Sequence, residues 1–281
     1  MRTANDAPSL RAAVRAWKQE GRTVGFVPTL GNLHAGHYSL LDIARKHADR
    51  VVVSVFVNPT QFAAGEDFEK YPRTPVQDGT GLVEHDCDLL FAPELDVIYP
   101  FGARNSIRIH VPQVTEMLEG EHRRDHFDGV ATVVAKLFAL VAPDIAVFGQ
   151  KDWQQLLLVK RLVRELALPI EIIAAPTVRE GDGLALSSRN QYLSQSGREI
   201  APQIHATLKW MRDAVLEGHP REVAEGAALQ RLERAGFVPD YAAVRCAEDL
   251  SVPDDSEYEG LIALIAARFG GTRLIDNLLF D

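Results

Sequence analysis

The stretch that decides the fold is Gly25-Phe-Val-Pro-Thr-Leu-Gly-Asn-Leu-His34-Ala-Gly-His37. A short apolar run at residues 23–28 ends in a glycine-containing turn and opens a helix. That is how a strand feeds a crossover in an open α/β sheet, where ligands bind at the carboxyl ends of the strands. The helix that follows, residues 36–49, carries Leu40, Leu41, Ile43 and Ala44 at helical spacing, long enough for a right-handed crossover. It leads into VVVSVFV at residues 51–57, apolar on both faces as a strand covered from both sides must be. Upstream, Leu10, Ala13, Val14 and Trp17 mark a helix over residues 9–21, with Ser9 as its expected N-cap and Gly21 as its stop. Downstream, strand patterns at 88–92, 145–148 and 170–174 alternate with helix patterns at 129–141 and 152–166. The expectation is an α/β domain over residues 1–176 with a doubly wound parallel sheet.

The pattern changes after Pro176. A Gly- and Ser-rich loop at 179–190 precedes helices at 197–217 and 221–235 and strands at 241–244, 261–267 and 272–279. Residues 177–281 therefore read as a smaller C-terminal α+β domain, expected to close over the site. At 281 residues and 46% hydrophobic, the chain is long enough for two such cores. A formal charge of −9 argues against a nucleic acid or an anionic membrane as partner. Cys87 and Cys246 sit in no metal or disulfide pattern, so both are expected to be reduced and buried. The first ten residues lack a signal peptide's basic start and apolar run, and no stretch approaches the roughly 20 apolar residues of a membrane span. The expectation is a soluble, cytoplasmic protein.

His34 and His37 lie three residues apart at the expected start of a helix, so their imidazoles share one face beside backbone N–H groups that can point at an anion. Such a pair can donate hydrogen bonds to phosphate oxygens; loop histidines filling a helix start, or an i, i+3 metal pair, are the alternatives. Asn58 and Gln61 follow the next buried strand at the same edge, where amides can fix a hydroxy acid, or simply form an exposed Asn-Pro turn. Lys151 follows the strand at 145–148 and could meet phosphates or remain a solvated loop lysine. Ser187, Ser188 and Arg189 could close over a triphosphate or belong to a linker. Arg123 and His126 precede a helix, as pocket lining or as surface charge.

His34-Ala-Gly-His37 resembles the HxGH signature of the Rossmann-like nucleotidylyltransferase and class I aminoacyl-tRNA synthetase superfamily. The segments Val57-Asn-Pro-Thr-Gln-Phe62, Tyr71-Pro-Arg-Thr74, His126-Phe-Asp-Gly-Val130, Phe148-Gly-Gln-Lys-Asp-Trp-Gln-Gln-Leu156, Leu186-Ser-Ser-Arg-Asn190 and Arg273-Leu-Ile-Asp-Asn277 narrow the choice. In this order and spacing they resemble the pantothenate synthetase (pantoate-beta-alanine ligase) family.

The resemblance implies activation of pantoate by ATP as an acyl adenylate and transfer to beta-alanine, with Mg2+ on the phosphates and a homodimer as the assembly. It implies catalytic roles for His34, His37 and Lys151, with His37 as proton donor, although a transition-state hydrogen bond would account for His37 equally well. ATP is then held by Leu30, Gly31, Asn32, Leu33, His34, Ala35, Gly36 and His37, by Gly149, Gln150, Lys151 and Asp152, and by Val178, Leu186, Ser187, Ser188 and Arg189. Pantoate and beta-alanine are met by Gln61, Gln155 and Asn58. The protein ligands of the metal are unknown; Asp78 is a candidate for an outer-sphere contact. The chain departs from the family's pattern at Leu30 and Leu186, where methionine is common, at Gln150, where glutamate is usual, and at Arg124-Asp125 in place of Pro-Gly. A plain nucleotidylyltransferase and a non-catalytic nucleotide sensor are the rival classes; aminoacylation of tRNA is disfavoured by the acidic balance.

Overall fold

The computed structural model describes residues 1–63, 66–254 and 258–280. The chain forms two compact units, Met1–Gln150 with Gln155–Pro176, and Lys151–Gln154 with Thr177–Asp281. Up to Ala175 the elements are β1 (Arg2–Ala4), α1 (Ala7–Gln19), β2 (Val24–Thr29), α2 (Ala35–His47), β3 (Arg50–Val55), α3 (Pro75–Glu84), β4 (Leu89–Phe91), the short helices α4 (Leu95–Ile98) and α5 (Glu119–His122), α6 (His126–Val141), β5 (Ile145–Gly149), α7 (Trp153–Glu165) and β6 (Glu171–Ala175). The strands form one parallel sheet in the order β1-β4-β3-β2-β5-β6. Chain order runs one way from β2 through β3 to β4 and the other way from β5 to β6, so it reverses between β2 and β5. Loops leaving the carboxyl ends of those strands flank the switch point, where open α/β sheets bind ligands.

Strand periodicity decides the core. Val51 and Val53 point to one face with Val27, Ile145 and Val147, and pack on Leu41 and Ala44 of α2 and Leu82 of α3. On the sheet's other face, Phe26 and Phe148 each meet Phe138 of α6 edge-on, with ring centroids 6.3 Å apart in both pairs. Burial on both faces explains why β3 reads as an unbroken apolar run.

The second unit holds α8 (Gln195–Ile200), α9 (Gln203–Leu216), α10 (Arg221–Arg234), β7 (Val238–Cys246), β8 (Leu261–Phe269) and β9 (Thr272–Leu279). The strands form an antiparallel sheet in the order β7-β8-β9. Its core gathers Leu208 and Met211 of α9, Ala228 and Leu232 of α10, and Val244, Ala263, Ile265 and Ala267 from the sheet.

Several local expectations are corrected. Asp6, not Ser9, caps α1: its carboxylate accepts the Ser9 amide at 2.7 Å, and Pro8 fits the first turn, where no N–H is needed. The helix expected over 197–217 is two helices, because Pro202 lacks the N–H that would continue the ladder and its ring crowds the preceding turn. Cys87 is buried but Cys246 is only half-buried; neither forms a disulfide.

A 3-10 turn, Pro59–Gln61, follows β3 and packs directly on α6. The approach requires glycine at 129, since a Cβ there would overlap the Thr60 carbonyl and lie 2.8 Å from the Gln61 amide nitrogen. Gly129→Ala is therefore expected to destabilise the protein by about 1–3 kcal/mol through overpacking, read as a lower denaturant midpoint. An unchanged midpoint would mean that turn and helix separate freely.

Candidate active site

In the first unit, the turn after β2 takes Gly31 (φ +85°) and Asn32 (φ 52°) through left-handed conformations. A Cβ at Gly31 would also press to 3.0 Å from Val55 and 3.1 Å from the Asp78 carboxylate. Asp78, buried on α3, holds the turn: Oδ2 accepts the Asn32 amide at 3.0 Å, while Oδ1 accepts the Leu33 amide at 2.8 Å and the Thr74 hydroxyl at 3.0 Å. Its carboxylate is thus engaged by the backbone rather than turned outward to a hydrated metal. That role was missed in the sequence because α3 itself was not read; Thr74-Pro75 followed by Asp78 was the available signal.

His34 is the N-cap of α2 rather than a residue of its first turn, and the two histidines close that end reciprocally. His34 Nδ1 accepts the Gly36 amide at 3.1 Å, and His37 Nδ1 accepts the His34 amide at 3.3 Å. The rings lie 4.1 Å apart at 44°. With Nδ1 accepting, each neutral imidazole carries its proton on Nε2. The expectation that backbone N–H groups here aim at an anion is corrected for those of Asn32, Leu33, His34 and Gly36, which are taken up by Asp78 and the imidazoles. The donors suited to an anion are the two Nε2–H groups. Leu30, Leu33, Gly36, Gly149 and Gln150 are half-buried, Gly31 is buried and Ala35 is exposed.

Asn58 and Gln61 bracket the 3-10 turn after β3, the neighbour of β2, so both loops leave one edge of the sheet. Asn58 is fully buried and its amide is saturated. Nδ2 donates to Gln61 Oε1 at 3.1 Å and to the Gly129 carbonyl at 3.2 Å; Oδ1 accepts from Tyr99 at 2.7 Å and from the Thr60 hydroxyl at 3.0 Å. This corrects the reading of Asn58 as a substrate contact: it holds Gln61 Oε1 and so turns the Gln61 NH2 the other way. Gln155, on α7, is half-buried.

His126 and Arg123 are neither surface charge nor open pocket lining. His126 is buried, with Nδ1 2.7 Å from the Gln61 carbonyl and Nε2 2.9 Å from Arg123 Nη1. The carbonyl can only accept and the guanidinium can only donate, which fixes the tautomer as Nδ1–H. Arg123 also grips both oxygens of Glu66 at 2.8 Å. Burial raises the Glu66 carboxyl, but the Arg123 hydrogen bond and charge outweigh it and leave the group below its ordinary value. Burial, followed by the Arg123 charge, lowers His126 to about 4.

In the second unit, Lys151 and Asp152 lie in the 3-10 turn Gln150–Asp152, with Lys151 Nζ 3.5 Å from the Asp152 carboxylate. The Lys151 side chain is 18% accessible, so it is not a fully solvated loop lysine. The Leu186 amide donates to the Val178 carbonyl at 2.9 Å, and Ser187 caps the turn Ser188–Tyr192 through the Arg189 amide at 3.3 Å. Leu186, Ser187, Ser188 and Arg189 therefore sit on an organised turn rather than an open linker. Among the described residues no group of three or more His, Cys, Asp or Glu side chains is placed to hold a metal, and no helix is long and apolar enough to cross a membrane.

Residues 2–279 match the family model for pantoate-beta-alanine ligase. The chain belongs to the pantoate-beta-alanine ligase family. It is 56% identical over 280 residues to pantothenate synthetase from Xanthomonas euvesicatoria pv. vesicatoria (strain 85-10), covering 100% of both chains. The crystal structure of pantothenate synthetase from Thermus thermophilus superposes with a TM-score of 0.93 at 46% identity, over 100% of this chain and 99% of that one. That of the Francisella tularensis ligase, complexed with beta-gamma ATP and beta-alanine, gives 0.85 at 33% identity, over 100% and 98%. This chain is an enzyme of the same type, a ligase joining pantoate to beta-alanine.

Within the family, the departure at Asp125 has a conformational reading. Asp125 is the N-cap of α6 at φ 64°, a region glycine enters freely and aspartate tolerates.

His126 gives this ligase a pH signature. Its folded value, about 4, lies below the ordinary 6.5, so between these values the unfolded chain binds the proton more readily. The contribution is complete above about pH 6.5 and is lost as pH falls toward about 4. His126→Gln should flatten that part of the stability profile, measured by denaturant unfolding across the range. An unaltered slope would exclude His126 as its source.

Proposed function

We propose that the chain makes pantothenate from (R)-pantoate and beta-alanine in two steps, with ATP as the activating co-substrate. The pantoate carboxylate attacks the α-phosphorus of ATP, the bond to pyrophosphate breaks, and a pantoyl adenylate remains bound. The beta-alanine amine then attacks the acyl carbon, AMP leaves with the bonding electrons, and the amine loses its proton. The observation that carries this reading is the reciprocal imidazole cap beside the Gln61 turn, which brings two imidazoles and a side-chain amide to the ends of neighbouring strands. Support for ATP comes from the Francisella tularensis relative, described in complex with beta-gamma ATP and beta-alanine.

In this reading the nucleotide is held by residues 30–37 and 149–152, by Val178 and by residues 186–189. His34 and His37 donate from Nε2 to oxygens of the α-phosphate as charge grows on them, and Lys151 supplies a mobile positive charge. Gln61, with its Oε1 held by Asn58, donates its NH2 to pantoate, and Gln155 assists. No side chain forms a covalent intermediate; in-line positioning and charge stabilisation suffice. In the same reading Mg2+ accompanies ATP as MgATP, and Asp78 is engaged by the Asn32 and Leu33 amides. Assembly as a homodimer and residence in the cytoplasm belong to the same reading, on the strength of the family.

ATP, Mg2+ and pantoate without beta-alanine should support exchange of labelled pyrophosphate into ATP. His37→Ala should suppress that exchange by about 10²–10³-fold, as expected for loss of one transition-state donor. Exchange that requires the amine would replace the adenylate with direct ligation, and exchange with a phosphorylated acceptor but not pantoate would point to a nucleotidylyltransferase.

Gln61→Ala should weaken pantoate, measured as KM in the exchange assay, by about tenfold or more while changing the KM for ATP far less, because its amide faces the acid. Equal loss for both substrates would remove Gln61 from acid recognition.

A further inference from the structure

The segment Arg273-Leu-Ile-Asp-Asn277 carries two adjacent buried polar side chains. It lies on β9, where Asp276 and Asn277 are 5% and 6% exposed and, as neighbours on a strand, project to opposite faces. Asp276 receives a two-pronged grip from Arg179, whose Nη1 and Nη2 donate to Oδ2 and Oδ1 at 2.6 and 3.0 Å. The same guanidinium donates to the carbonyls of Gly183 and Asn277, each at 3.1 Å. Four donations thus fix the base of the turn closed by the Arg179–Ala185 bridge and by the Glu180 amide on the Leu184 carbonyl at 2.8 Å. Leu186, Ser187, Ser188 and Arg189 follow at once. Asn277 points the other way and donates from Nδ2 to the Lys151 carbonyl at 2.7 Å. The Asn277 backbone N–H donates to Asp276 Oδ1 at 2.8 Å, so the Asp276 carboxylate also holds the backbone from which the Asn277 side chain projects.

We propose that Asp276 and Asn277 are positioning residues for the first chemical step. Asn277 sets the backbone of Lys151, Asp276 sets the 186–189 turn through Arg179, and one dipeptide brings the two phosphate-facing segments into register. The proposal rests on the reading of Lys151 and Ser187–Arg189 as nucleotide contacts. A buried amide that donates to a backbone carbonyl fixes where that residue's side chain starts, and a misplacement of about 1 Å in a charged group can lower a rate by about 10²-fold. His205, with Nδ1 3.8 Å from Asp276 Oδ2, lies beyond hydrogen-bond distance of the carboxylate that Arg179 and the Asn277 N–H engage.

The test is a double-mutant cycle on the full-length enzyme, read by pantoate-dependent pyrophosphate exchange. Asn277→Ala is expected to lower kcat about tenfold or more and to change the KM for pantoate less than about twofold. On a Lys151→Ala background the same substitution should have little further effect, because the group it positions is gone. An equal loss on both backgrounds would mark Asn277 as merely structural and overturn the proposal. So would near-normal exchange by Asn277→Ala while Lys151→Ala is crippled, which would leave the role of Lys151 intact. Near-normal exchange by Lys151→Ala would instead overturn the nucleotide reading of Lys151 and, with it, this assignment. Should Asn277→Ala fail to fold, Asn277→Asp keeps the side-chain volume, removes both N–H donors and carries the same cycle. Asn277→Gln, which retains the donor, should recover part of the rate.

Discussion

The sheet edge proposed to face the phosphates depends on the way α2 begins. Helices usually close their first turn with a hydroxyl or carboxylate that accepts a backbone N–H and presents nothing further to a ligand. Here the acceptor is the Nδ1 of an imidazole, used twice and reciprocally by His34 and His37. An imidazole has a second nitrogen, so the atom that caps the helix also fixes the proton on the other side of the ring. Fold and chemistry are therefore one constraint: the bonds that terminate α2 select the tautomer that donates. Asp78 completes it from α3 by holding the amides of Asn32 and Leu33. In the proposed function this helix start would meet an anion through side-chain donors, because the amides of Asn32, Leu33, His34 and Gly36 are already engaged.

The neighbouring turn obeys a related rule. Buried polar groups that are fully paired rigidify a site, whereas half-paired ones destabilise it. Around Gln61 the pairing is complete at each supporting position: Asn58 by Tyr99, Thr60 and Gly129, and His126 by the Gln61 carbonyl and Arg123. The close approach at Gly129 lets α6 reach the turn at all, so a single missing Cβ connects the apolar core of the sheet to the orientation of one amide.

Local pattern made much of this legible. The strand-turn-helix from Gly25 to His37 and the doubly apolar β3 need only nearest-neighbour periodicity, and they place the histidines and Gln61 at one sheet edge. What the sequence hid was contact across distance. β1 is three residues long and exists because it pairs with β4, some 87 positions away (Arg2 with Leu89). The tasks of Asp78, Arg123 and Asp276 are set by partners on other elements, and no spacing rule reveals them. Asn58 and Gln61 show the limit most clearly, since both are amides in one short turn and the sequence gives them equal claim to a ligand. Both are buried, and only the hydrogen bonds of the folded turn separate the one that holds from the one that is held. The same applies at Arg124-Asp125, where sequence sees two added charges and the backbone shows a left-handed cap that glycine would fill more easily.

The treatment of charge near Gln61 fits the reaction proposed for this edge. Arg123 stands only one side chain behind it, through His126, and an arginine turned toward the acid would bind a carboxylate tightly in the ground state. That binding would also lower the carboxylate's energy before attack, and an interaction as strong in the substrate as in the transition state lowers KM without raising kcat. In the structure the Arg123 charge is matched by both oxygens of Glu66, and what reaches the Gln61 carbonyl is a neutral histidine N–H. The acid is then left to a neutral amide, which can orient it while leaving the attacking oxygen basic. Stabilisation is better placed where negative charge grows during the reaction, and in the proposed function the paired imidazoles would supply Nε2–H donors there.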